Sequence, residues 1–143
     1  MILNSWDIEK IIPHRFPFLL IDRVDELEVG KRAKGVKCVT VHEAQFLGHF
    51  PDEHVMPGVL IIESLAQIGA VALLAGKENK GKKALLTGIK NCKFRKKVVP
   101  GDTMVLEAEL IKIKGLFGTS KAKATVDGEL ACECEFFFAI QDN

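Results

Sequence analysis

The stretch Gly48-His49-Phe50-Pro51-Asp52-Glu53-His54-Val55-Met56-Pro57-Gly58-Val59-Leu60-Ile61-Ile62-Glu63 joins a histidine-bearing turn to a proline-glycine helix start and ends on one acid in an apolar run. These residue types move protons and hold developing negative charge. The His49 imidazole can take up a proton near neutral pH. Phe50 and Pro51 stiffen the turn that aims it. Around Glu63, the neighbours Val59, Leu60, Ile61, Ile62, Leu65 and Ala66 are apolar. A carboxyl group in such surroundings is costly to keep charged without a partner, and a protonated one can act as a general acid. Gln67 follows one helical turn later on the same face, where its amide can orient that carboxyl.

Pro57-Gly58 supplies a different kind of group. The first backbone N–H groups of a helix lack internal partners, and the helix dipole adds partial positive charge there. Gly58 carries no side chain, so a ligand can approach its N–H closely. A thioester carbonyl polarised at that amide could build up negative charge on its oxygen. Glu63 lies roughly 7–8 Å further along the helix axis. Each feature has a plainer structural reading. Pro-Gly can simply begin a helix, His49 can be an exposed loop histidine, and Glu63 a partly exposed carboxylate. Their occurrence together points to a proton-transfer enzyme.

Other chemistries find less support. His42, Asp52, Glu53 and His54 near His49 match no zinc spacing such as H-E-x-x-H, so no metal is expected. Serine-hydrolase, P-loop and dinucleotide glycine patterns are absent from the sequence, and no cofactor is expected. Lys90, Lys93, Arg95, Lys96 and Lys97 form a basic segment. It suits a solvated edge strand, or a landing patch for an acidic partner that speeds encounter. Few aromatics interleave it, which disfavours single-stranded nucleic acid.

The elements that must hold these residues read as follows. Asp7 to Ile12 is a short helix with Ser5 as its N-cap, ended by Pro13. Phe18 to Val24 and Ala33 to Val41 are strands around a turn at Glu28-Val29-Gly30-Lys31. The central helix spans Pro57 to Ala75 with Gly76 as its stop, and is apolar nearly all round, so it must be surrounded. Lys77 to Lys83 is an exposed loop. Strands follow over Ala84–Ile89, Cys92–Val98, Thr103–Ile113, Gly118–Val126 and Glu129–Ile140. The turn at Asp127-Gly128 is a strong hairpin signal. One buried helix with five or six mostly antiparallel strands is an α+β architecture, most simply a curved sheet wrapped around the helix. A second copy of the chain could cover what remains of the helix's apolar surface.

The 143 residues suit one domain, 1–143, with one core. A net charge of +1 argues against general nucleic-acid binding. The N-terminal residues lack the basic and apolar regions of a secretory signal, and Val59 to Ala75 is short for a membrane span and contains Glu63. Cys38, Cys92, Cys132 and Cys134 form no C-x-x-C pair and are expected to be reduced thiols of a cytoplasmic protein, with Cys132 and Cys134 buried on one side of a strand.

Three blocks carry a family resemblance. They are Pro13-His14-Arg15-Phe16-Pro17-Phe18-Leu19-Leu20-Ile21-Asp22-Arg23-Val24, the Gly48 to Glu63 stretch with Ala66-Gln67, and Phe94-Arg95 with Pro100-Gly101-Asp102. In this order they resemble the bacterial 3-hydroxyacyl-[acyl-carrier-protein] dehydratases (FabZ), enzymes of type II fatty-acid synthesis with a hot-dog fold. The resemblance covers nearly the whole chain. It implies His49 and Glu63 as a catalytic pair contributed by different subunits of a dimer. It implies Gly58 as backbone donor to the thioester carbonyl, with Gln67, Phe50 and Pro57 in support. It further implies a trimer of dimers, and a substrate delivered on the phosphopantetheine arm of acyl carrier protein. Arg95, Lys96 and Lys97 are the candidate docking residues for that carrier. Glutamate at position 63 favours this family over the related dehydratase/isomerase (FabA), where aspartate is usual. His54 stands where the family generally has proline. A hot-dog thioesterase and a non-catalytic acyl-binding module are the competing readings.

Overall fold

The structure is a computed structural model that describes residues 1–142. Its order is α1 (Ser5–Glu9), β1 (Arg23–Glu28), β2 (Arg32–Cys38), α2 (Gly58–Leu74), β3 (Lys83–Phe94), β4 (Thr103–Lys114), β5 (Phe117–Val126) and β6 (Glu129–Gln141). Short 3₁₀ turns lie at Ala44–Leu47 and Lys77–Asn79, both inside segments expected to be loops. The six strands form one antiparallel sheet in the order β1-β2-β4-β5-β6-β3. The sheet curves around α2, so the expected α+β, hot-dog architecture is the one observed.

The helix is buried for compositional reasons. Leu65, Ile68, Val71 and Ala72 of α2 are wholly inaccessible, and they join Val24, Met104, Leu106 and Ala124 of the strands in one core. Small residues let the helix lie close to the sheet: a Cβ on Gly69 would sit 3.6 Å from Ala108 Cβ. Its polar side chains stay paired, since Ser64 donates to the Leu60 carbonyl and Gln67 is fully bonded.

Several boundaries differ from expectation. Asn4, not Ser5, caps α1, in a reciprocal capping box with Asp7. Pro57 is the N-cap of α2 rather than its first helical residue, and Ala75 replaces Gly76 at its end. Phe18 to Asp22 is not a strand. Leu20 and Ile21 are both buried, which breaks alternation, and the segment crosses the helix with Gln67 bonding its backbone. Strand β1 instead runs on to Glu28, inside the expected turn. The strand expected over Ala84–Ile89 and the first part of that expected over Cys92–Val98 are one continuous β3, which ends at Phe94 and leaves residues 95–98 outside the sheet; its register shifts between Lys90 and Lys93 at a bulge where Asn91 has φ 52°. The β5–β6 hairpin is as expected, with positive φ at both Asp127 (50°) and Gly128 (80°).

The two edges of the sheet are unlike. Leu3 bridges to Val24 and blunts β1, which also carries Arg23, Asp25, Glu26 and Glu28. Strand β3 has no neighbour on its outer side and exposes Leu85, Leu86, Ile89 and Phe94.

Candidate active site

Glu63 lies in the second turn of α2 and is half-buried. Gln67 Nε2 donates to its Oε2 at 2.9 Å. Gln67 is itself inaccessible and locked: its Nε2 also donates to the Phe18 carbonyl (2.7 Å), and its Oε1 accepts from the Leu20 amide (2.9 Å). The crossing segment 18–20 therefore fixes Gln67, and Gln67 fixes Glu63. The sequence pattern had placed Gln67 on the correct face; it gave no sign of the second arm, from residues 18 to 20.

A residue outside the expected set also reaches Glu63. His14 Nε2 lies 3.5 Å from the same Oε2. The His14 ring stacks on Phe18 with centroids 6.5 Å apart. No spacing rule links position 14 to position 63, and His14 was visible only as part of the Pro13-His14-Arg15 block.

Glu63 and His14 are the only titratable groups lining a cavity of about 90 Å³ between α2 and the inner face of the sheet. Its helix wall includes Ala66, Gly69, Ala70 and Leu73; its sheet wall includes Leu110, Phe136 and Phe138. A mostly apolar lining with two polar groups at one place suits an aliphatic chain. A larger concavity of about 530 Å³ lies on the sheet between charged side chains such as Glu107, Lys121 and Glu133. Of the candidate residues it contains only Lys93 of the basic segment, and its charges lie opposite one another on neighbouring strands.

His49 sits where the 3₁₀ turn ends, with its N–H bonded to the Gln45 carbonyl (3.0 Å). Its Nδ1 lies 2.7 Å from the Val55 carbonyl. A carbonyl can only accept, so Nδ1 carries the proton and Nε2 presents a lone pair. Phe50 stacks on the imidazole with centroids 4.1 Å apart. His49 does not line the Glu63 cavity, so one chain does not bring the two expected catalytic groups into the same pocket. His54 is exposed, its ring 5.8 Å from Phe46.

At the start of α2, the Pro57 carbonyl accepts from the amides of Leu60 and Ile61, while the Gly58 amide precedes the first intrahelical bond. A Cβ on Gly58 would come within 2.8 Å of the Phe94 ring. Phe94 thus packs directly over the helix start, and glycine is the residue that allows it. The Met56 amide donates to the Val98 carbonyl (2.7 Å), which holds the basic segment beside this helix start. Arg95 pairs with Glu133 (2.8 Å), Lys96 with Glu129 (3.2 Å) and Lys97 with Glu53 (3.0 Å).

Cys92, Cys132 and Cys134 bring their sulfurs within 4.8 Å of one another. Cys132 and Cys134 are buried, as expected, and the β3 bulge adds Cys92. Cys134 is pushed far up from the ordinary thiol range by its hydrogen bond with Cys132 and by burial. Three thiols are one ligand short of a closed structural zinc site.

Comparison with known proteins gives the family and the fold. The family model described as the FabA-like domain matches residues 12–135. The 3-hydroxyacyl-[acyl-carrier-protein] dehydratase FabZ of Staphylococcus epidermidis is 63% identical over 135 residues, covering 94% of this chain and 93% of that protein. The FabZ of Clostridium novyi is 61% identical over 140 residues, covering 98% and 99%. Among solved structures, the dehydratase heterocomplex ApeI:P from Xenorhabdus doucetiae superposes with a TM-score of 0.78 at 18% identity, covering 95% of this chain and 91% of that one. A hypothetical thioesterase with coenzyme A from Streptococcus pneumoniae superposes with a TM-score of 0.64 at 11% identity, covering 85% and 86%. The two solved structures share the fold; sequence identity over nearly the full length settles the family, and the chain belongs to the FabZ-type 3-hydroxyacyl-[acyl-carrier-protein] dehydratases within the FabA-like family.

Proposed function

We propose that this chain dehydrates (3R)-hydroxyacyl-[acyl-carrier-protein] to trans-2-enoyl-[acyl-carrier-protein] in type II fatty-acid synthesis, with His49 as base and Glu63 as acid. The observation that carries this reading is the 2.7 Å bond from His49 Nδ1 to the Val55 carbonyl. It holds the imidazole in the tautomer whose Nε2 can take a proton. The α-proton of a thioester is weakly acidic, so the carbonyl oxygen must hold enolate-like charge as that proton leaves. The Gly58 amide at the helix start is aligned with the helix dipole to do so. The proton passes to His49 Nε2. Glu63 gives its own proton to the departing β-hydroxyl, which leaves as water, and the electron pair forms the new double bond. The acyl chain lies in the cavity beside α2, where each buried methylene adds about 0.8 kcal/mol.

The pair would form across two copies of the chain. Support comes from the open β3 edge and from the absence of His49 from the Glu63 cavity. Pairing of β3 with β3 of a second copy would extend the sheet and cover Leu85, Leu86 and Ile89. A trimer of such dimers, acting in the cytoplasm, completes the reading. No helix among the described residues is long and apolar enough to cross a membrane. The substrate would arrive on acyl carrier protein, docked at Arg95, Lys96 and Lys97 beside the helix start.

An absorbance assay for the enoyl thioester tests the function. His49→Ala and Glu63→Gln should each lower kcat by about a hundredfold or more, with the fold and assembly unchanged. Near-normal turnover in either folded variant, or release of free thiol in place of enoyl product, overturns it.

A further inference from the structure

We infer that His14 is a positioning residue for Glu63: with Gln67 it crowds donors onto Oε2 and so leaves Oε1 as the oxygen that bears the transferable proton. This rests on the assignment of Glu63 as the acid and adds a group to it.

Three observations carry the inference. First, both contacts to the carboxyl fall on one oxygen: Gln67 Nε2 at 2.9 Å and His14 Nε2 at 3.5 Å both meet Oε2. Among the described residues Oε1 has no hydrogen-bond partner. Second, His14 Nδ1 is buried and has no partner. An N–H buried without an acceptor is rarer and costlier than a bare lone pair. The single proton of the neutral ring therefore belongs on Nε2, the atom that faces Glu63. Third, one face of the ring has an aromatic partner and the backbone that carries it is fixed. Phe18 stacks on it, and the Arg15 guanidinium donates to the backbone carbonyls of His14, Ile12 and Glu9, which fixes the segment.

The electronic consequence is direct. In a carboxylic acid one oxygen is the O–H donor and the other accepts. The Gln67 N–H donated to Oε2, with His14 Nε2 facing the same oxygen at 3.5 Å, favours the form in which Oε2 accepts and Oε1 holds the proton. The 3.5 Å separation is long for a hydrogen bond, and contacts of this kind shorten when substrate closes the site.

Glu63 is the only titratable residue on α2, and among the described residues the cavity walls add none besides His14.

The test uses the full-length enzyme with a 3-hydroxyacyl thioester. His14→Phe keeps the aromatic stack and removes the donor. It should lower kcat about tenfold, the worth of one hydrogen bond, with KM unchanged. His14→Gln restores an N–H donor and should recover kcat to within about threefold of the native enzyme. Equal losses in both variants, or no loss in His14→Phe while Glu63→Gln is inactive, overturn the positioning role and leave Glu63 as the acid. An active Glu63→Gln overturns the acid assignment as well. Imidazole ¹⁵N NMR of the unsubstituted protein gives an answer that needs no variant: protonation at Nε2 is expected, and an Nδ1–H tautomer of His14 refutes the inference.

Discussion

Breaking the Lys37–Glu43 pair should destabilise the loop that delivers His49. Lys37 Nζ lies 2.8 Å from Glu43 Oε1, and the lysine side chain is only 6% exposed against 18% for the glutamate. Glu43 has further donors, the Thr40 amide at 2.8 Å and Gln45 Nε2 at 3.0 Å, whereas Lys37 has only the Cys38 carbonyl at 3.4 Å. Removal of the two partners is therefore unequal. Glu43→Ala strands a buried ammonium and should cost about 3–5 kcal/mol. Lys37→Met leaves a carboxylate with two donors and better access to water, and should cost about 1–3 kcal/mol. Lys37→Met/Glu43→Leu leaves no charge behind and should recover most of the loss. Urea unfolding at one fixed protein concentration measures all three, and Glu43→Ala should lower Tm by roughly 6–20 °C. The pH dependence has a definite sign. Burial pushes the Glu43 carboxyl up, but Lys37, the Thr40 amide and Gln45 together outweigh it and hold it below the ordinary value of 4.5. A lowered carboxyl contributes stability that is present above pH 4.5 and is lost as pH falls through the folded-state value. Glu43→Gln should remove that acid-sensitive part. A Glu43→Ala protein within 1 kcal/mol of the original, or a double variant equal to the sum of the singles, refutes the reasoning.

Gln67→Leu leaves the Leu20 amide and the Phe18 carbonyl unpaired in the core, so it should cost about 2–4 kcal/mol in urea unfolding and lower kcat as well. Gly58→Ala places a methyl against the Phe94 ring and should reduce kcat/KM about tenfold with little change in Tm, read in the absorbance assay. Reversing charge at Arg95, Lys96 and Lys97 should lower kcat/KM on the carrier-bound substrate and spare a small-thiol thioester; an unchanged ratio removes the docking role. Ellman's reagent should modify the exposed Cys38 fast in the native protein, with Cys132 and Cys134 reacting only on unfolding, because the reagent cannot reach a thiol buried in the core.

Local chemistry was legible wherever a feature is carried by neighbours in the chain. The helix start at Pro57-Gly58, the i,i+4 pair of Glu63 and Gln67 and the Asp127-Gly128 hairpin all follow from spacing within a turn or two. Phe18 to Asp22 was misread because apolar runs of that length suit either a strand or a buried crossing, and the deciding partner, Gln67, lies far along the chain. The split of β3 had the same origin: Lys90-Asn91 looks like a break, and only the partner strand β6 shows that pairing resumes at Lys93. His14 was invisible as a chemical group, since its meaning depends on a contact across the fold. The Tyr-free, lysine-rich basic segment also read as open charge, although each of Arg95, Lys96 and Lys97 already has a carboxylate.

A ladder of backbone amides that is blunted along one margin and bare along the other cannot propagate. If the bare β3 margin meets the β3 margin of its own copy about a two-fold axis, each partner satisfies the other and presents only its blunted β1 margin to the outside. Edge-to-edge growth of the sheet therefore stops at two, and any larger assembly must use other faces. The small tie between Leu3 and Val24, together with the charges of β1, guards the outer margin, and freeing the first three residues should be felt as loss of solubility before it is felt as loss of turnover.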